Sequence, residues 1–133
     1  MPTIIALDND HARVCIHTDT RIVHHEFKQF IFGEKLHEAL TAGVELMEQH
    51  RATKWLSDDR KNGVVGSADQ EWALKSWYPR VLRAGWKHWA VVLPETVVGQ
   101  MNIRRFVEGC RKDGLETRVF VDPTEAMAWL CEV

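Results

Sequence analysis

Residues 88–93, His88-Trp89-Ala90-Val91-Val92-Leu93, form an apolar run without alternation, and Pro94 closes it. A strand with one wet face alternates with a period of two, whereas an unbroken apolar strand is covered on both faces, as inside a parallel sheet. Parallel neighbours need crossovers of a dozen or more residues, usually helical. The chain supplies them on either side of the run. In residues 34–50, Leu36, Ala39, Leu40, Gly43, Val44 and Met47 fall at helical spacing. Ser67 and Gln70 have capping-box spacing, so a helix is expected from Ser67 to about Ala84, ending at Gly85. Pro79 lies inside that helix and predicts a kink near Trp77-Tyr78. Residues 96–113 are helical, with Met101, Ile103, Phe106, Val107 and Cys110 as the core stripe and Asp113-Gly114 as the stop. Asp122-Pro123 opens a short last helix reaching about Leu130.

Strands are expected at residues 53–57 and 116–121 as well, and two more precede the first helix. Residues 12–18 and 21–28 each alternate, and Asp19-Thr20 between them suits a tight turn. In that register Ala12, Val14, Ile16, Val23 and Phe27 share one face, and Arg13, Cys15, His17, His24 and Glu26 share the other. Thr3–Leu7 is either a short extra strand or an extended arm. Gly43 in mid-helix costs up to about 1 kcal/mol relative to Ala, which a close helix–sheet contact would explain. The order is β-β-α-β-α-β-α-β-α over residues 1–133. It describes one α/β domain with a mixed, mostly parallel sheet, an N-terminal antiparallel hairpin and right-handed crossovers.

Composition narrows the function classes. With 133 residues, 45% of them hydrophobic and 27% charged, the chain has the balance of a globular domain. No stretch approaches the roughly 20 apolar residues of a membrane span, and the first residues lack a basic leader, so a cytoplasmic location is expected. The net charge of −2 argues against bulk electrostatic binding of nucleic acid. Cys15, Cys110 and Cys131 are odd in number and far apart, which suits buried reduced thiols better than disulfides or a zinc site.

Several segments together resemble the SpoIIAA-like group, which includes STAS and Sec14 domains, and more closely the small bacterial STAS/SEC14 domain-containing proteins. They are His25–Phe30 running into the Gly33–Met47 helix, Lys54–Arg60, Asp69–Trp72, Trp77–Arg80 and Trp89–Pro94. The resemblance spans residues 12–130 and implies a βα superhelix with helices mainly on one face of the sheet. It also implies a switch serine at the start of the second helix, within an Asp-Ser-Ser/Thr-Gly pattern. Ser67 stands there in Gly66-Ser67-Ala68-Asp69, which departs from the pattern, and Asp69 would repel a phosphate. Ser67 is thus the phosphorylation candidate, with a plain helix cap as the reading its residue type favours.

Three sets of residues carry candidate chemistry. Asp58, Asp59, Arg60, Glu95 and Asp122 follow strand ends, where α/β proteins bind ligands. The carboxylates suit Mg²⁺ and Arg60 suits an anion; against this, Asp122 suits a helix cap, Glu95 a solvated position, and Asp58 a pairing with Arg60 or with backbone amides. Cys15, His17 and His24 offer soft ligands on one hairpin face, but a fourth ligand is missing and a polar sheet face is the plainer reading. Six tryptophans exceed what a small core needs, and Trp72 and Trp77, five apart, cannot fully share one helix face. No nucleophile elbow, P-loop, dinucleotide fingerprint or H-E-x-x-H occurs.

The leading expectation is a non-enzymatic regulatory or interaction module that self-associates, as a dimer, through Trp72–Arg80. The alternative is a binder of a small apolar or anionic metabolite or lipid, which needs a pocket of at least about 300 Å³. A Mg²⁺-dependent enzyme at Asp58, Glu95 and Asp122 comes third. No catalytic residue, resident metal or cofactor is assigned.

Overall fold

The computed structural model describes residues 2–133. Six strands lie side by side in chain order: β1 Thr3–Asp8, β2 Ala12–His17, β3 Ile22–Phe27, β4 Lys54–Asp58, β5 His88–Val92 and β6 Glu116–Phe120. The first three pair antiparallel, and β3 through β6 run parallel. The Thr3–Leu7 alternative resolves as a strand on the sheet edge, which brings the strands to six instead of five. Of β1 only Leu7 is partly covered, where it packs against the core, so the strand is held mainly by its pairing with β2.

Four helices complete the chain. Helix α1 is Gly33–His50. Helix α2 joins Ser67–Trp72, a π-helical turn at Ala73–Trp77, and Tyr78–Arg83. Helix α3 is Val97–Lys112 and α4 is Pro123–Glu132. The kink expected before Pro79 takes the form of that π turn. Pro79 has no N–H to donate, and the Tyr78 amide reaches back five residues to the Ala73 carbonyl.

Because β3 to β6 are added in one direction, right-handed crossovers must all pass over the same face. Helices α1, α2 and α3 accordingly pack on one side, over Val14, Ile16, Val23, Trp55, Trp89 and Val91. The terminal α4 crosses to the other side, where Ala126, Trp129 and Leu130 cover Ile22, Leu56, Ala90 and Val92. This explains the unbroken apolar run of β5, which has helices over both faces. The Gly43 contact is also found: a Cβ there would collide with the indole of Trp55. No helix among the described residues is long and apolar enough to cross a membrane.

Three local expectations are corrected. Met101 is 60% exposed and belongs to no core stripe, because the buried line of α3 runs through Val107 and Cys110. Cys131 is exposed rather than buried, on the outer side of α4. Ser67 caps nothing: the N-cap of α2 is Gly66, no side chain caps there, and Gln70 turns its amide to the Val65 carbonyl. The chain stays extended through Gly66 and enters the helix at Ser67, one residue too late for the serine oxygen to meet the free amides.

Candidate functional site

Helix α2 leans on α1, whereas α3 rests mainly against β6. Between them, above the carboxyl ends of β3 and β4, lies a cavity of about 370 Å³. Its walls are Phe27 from β3, Leu36 and Leu40 from α1, Trp77 from α2, and Ile103 and Phe106 from α3. Its floor is polar: His25 and Ser57 are register partners on β3 and β4, and Asp59 and Asn62 follow β4. All four floor residues are at least nine-tenths buried.

The floor's hydrogen bonds determine what it can do. The Trp55 indole N–H donates to His25 Nδ1 at 3.0 Å. An indole only donates, so Nδ1 carries no proton and the ring proton sits on Nε2, 2.7 Å from Asp59 Oδ1. Phe27 stacks on the same imidazole. Both ring nitrogens are therefore engaged, and no lone pair remains to take a proton from a ligand. Ser57 Oγ accepts from the Trp89 indole at 2.8 Å and is not bonded to His25. Serine, histidine and aspartate meet here, but not in the wiring of a hydrolytic triad, where the serine hydroxyl donates to the imidazole.

Three polar functions remain unpaired among the described residues: the Ser57 hydroxyl hydrogen, Asp59 Oδ2 and the Asn62 amide nitrogen. Ser57 and Asp59 otherwise meet only Trp89 and His25, and Asn62 Oδ1 takes the Ile31 amide. All three residues line the cavity, and neither the Asp59 oxygen nor the Asn62 nitrogen is sealed off from it. Buried polar groups are costly without partners, so the floor is suited to a ligand's polar end. At the far wall, burial, followed by the hydrogen bond to Asp113, raises the pKa of the Tyr78 phenol. Burial pushes the Cys110 thiol up to about 11, which leaves it protonated and a poor nucleophile. Asp59, Asp69 and Asp113 line the space against Arg105 as the cation, so its charge balance is acidic.

The expected site residues divide across the sheet. Adjacent residues at a strand end point to opposite faces. Asp59 enters the cavity, while Asp58 points to the α4 side and holds Arg60 through two bonds of 2.9 and 2.8 Å. The Asp58 carboxylate raises the Arg60 pKa, with Glu26 and Glu95 nearby. Arg60 thus stands among three carboxylates, which leaves little positive potential for an anion and puts a guanidinium where Mg²⁺ would need to be. Asp122 lies apart and caps α4 through the Thr124 amide at 2.9 Å. Trp72 is half-buried and stacks on His37, with ring centroids 3.9 Å apart. Trp77 is only 6% exposed and donates its indole N–H to the Leu40 carbonyl. It is a cavity wall and offers no face to a second molecule. Ser67 is exposed at the start of α2.

On the opposite face, Cys15 and His24 sit across from each other and His17 touches His24, as the hairpin register predicts. Burial lowers the pKa of His24 to about 4, helped by the neighbouring His17. Sequence reasoning passed over His25, Ser57 and Asn62. A weak signal was present: polar residues at 25 and 57 interrupt the inward row of Val23, Phe27 and Trp55. Compared with known proteins, the chain matches no family model, no curated protein and no solved structure.

Proposed function

We propose that this protein binds a small ligand with an apolar body and a hydrogen-bond-donating or cationic head, held in the cavity between the sheet and helices α1–α3. The observation that carries the reading is the apolar chamber of about 370 Å³ with the unpaired Asp59 oxygen on its floor. Its size falls at the small end of ligand sites, which favours a metabolite over a two-chain lipid. The acidic lining favours an amine or a neutral donor over an anion. The consecutive βα winding and its antiparallel hairpin are compatible with the SpoIIAA-like fold that the sequence resembles, and a regulatory module of that kind would report ligand occupancy. A dimer anchored on Trp77 has less support, since that indole is enclosed.

Three probes with one aromatic body test the reading: 2-phenylethylamine, 2-phenylethanol and 3-phenylpropanoate. Trp77 and Trp89 line the chamber, so binding is read from indole fluorescence and from thermal shift. Affinity should fall in the order amine, alcohol, carboxylate, and Ile103→Trp should abolish saturable binding by filling the space while far-UV circular dichroism stays native. No saturable response to any probe, or tightest binding of the carboxylate, contradicts the proposal.

A further inference from the structure

The sheet face opposite the cavity is covered by α4 over β4 to β6 and at Ile22, the first residue of β3, and not over β2. On its open half, Cys15, His17 and His24 each offer one ligand atom, and these atoms lie within 4.8 Å of one another. His17 Nε2 and His24 Nδ1 are 3.0 Å apart. A point exists within about 2.8 Å of all three atoms, so rotamer shifts of a few tenths of an ångström bring them to the roughly 2.0–2.3 Å of metal–nitrogen and metal–sulfur bonds. Cys15 is buried and both imidazoles are partly exposed, so an ion can enter from the histidine side. Strand pairing fixes the geometry: Cys15 and His24 are direct partners, and His17 is two residues along β2.

The choice of ion follows from ligand number and charge. Among the described residues no other histidine, cysteine or carboxylate joins the group. Structural zinc sites take four protein ligands, whereas Cu(I) favours thiolate and imidazole donors and is stable with three ligands. Arg13 lies two residues before Cys15 on the same face, with Glu26 across from it. A divalent ion with one thiolate would leave a net positive charge beside Arg13. A monovalent ion with one thiolate is neutral, the proton of the Cys15 thiol passing to solvent as the metal–sulfur bond forms. We propose that Cys15, His17 and His24 form a three-coordinate site for Cu(I), one sulfur and two nitrogens, on the open face of the N-terminal hairpin.

The test uses the full chain carrying Cys131→Ser, because that exposed thiol would otherwise bind copper by itself. Under anaerobic, reducing conditions the protein competes with bicinchoninate for Cu(I). The expected result is withdrawal of one equivalent. Adding Cys15→Ser or His24→Ala should weaken binding by more than the roughly 10–100-fold that loss of a supporting group costs. X-ray absorption of the loaded protein should show one sulfur and two nitrogen scatterers, a readout that stands even if a ligand variant fails to fold. Failure to compete, undiminished binding by a folded Cys15→Ser variant, a shell lacking sulfur or nitrogen, or one equivalent of Zn²⁺ bound with no Cu(I) would each overturn the site.

Discussion

At the scale of single residues, much of this protein is decided by which atom a side chain leaves free. His25 is held by two bonds and has no acceptor to offer, while the Asp59 that holds it keeps one oxygen open. The two aspartates at the end of β4 look alike in sequence, yet alternation sends one into the cavity and the other to Arg60. Gly43 carries a sharper message. An alanine in an ordinary helix interior would stabilise by up to about 1 kcal/mol. Here its methyl would meet the Trp55 ring, itself wedged against Trp77 and Trp86. Gly43→Ala should therefore destabilise by about 1–3 kcal/mol, the usual cost of overpacking. Gly109→Ala, with open space around its Cβ, should stabilise by about 0.5–1 kcal/mol. Urea midpoints of the two variants give the signs; equal signs would show that the close packing is not what requires glycine at 43.

At the scale of elements, the helix starts separate true caps from apparent ones. Asp122 bonds the Thr124 amide and Thr96 bonds the Gly99 amide, whereas Ser67 bonds no amide of its helix. Asp122→Ala should cost about 1 kcal/mol, and Ser67→Ala should stay within about 0.5 kcal/mol of the parent. Chemical denaturation distinguishes the two, and a Ser67→Ala loss as large as that of Asp122→Ala would restore the serine cap. The sequence has capping-box letters at Ser67 and Gln70, but the N-cap falls one residue early, at Gly66, and Gln70 bonds the Val65 carbonyl, while Asp69 in the same turn ties α2 to the Gly33 amide and His37 of α1. That contact spans more than thirty residues and leaves no trace in local spacing. The π turn of α2 was legible only as a break near Pro79. Its form, with the Tyr78 amide bonded five residues back to the Ala73 carbonyl and Trp77 and Tyr78 both buried, is visible only in the structure.

At the scale of the whole molecule, the sheet never reverses its strand order. No crevice of the kind that reversal opens is therefore built in; the apolar cavity lies between the sheet and helices α1–α3, and the hollow at the strand ends is the polar one around Glu26, Arg60 and Glu95. The same topology ranks local stability. Strands β4 and β5 have neighbours on both sides and helices on both faces, whereas β1 is a largely exposed edge. In native-state hydrogen exchange the β4 and β5 amides should exchange only through global unfolding and those of β1 through local opening, orders of magnitude faster. Equal protection of β1 would mean that something beyond β2 holds it.

The sequence by itself determined the succession of strands and helices from residue 12 onward, the register of the hairpin and the contact at Gly43, because each rests on periodicity or on the conformational cost of a single residue. It also pointed to the cap at Asp122 and offered Arg60 as one partner for Asp58, both local contacts. The tertiary structure alone decided that Trp77 faces a cavity, that Asp59 keeps an open oxygen there, and that the carboxylates of the strand ends surround Arg60. These depend on where α1, α2 and α3 come to rest on the sheet, a matter of packing between segments far apart in the chain.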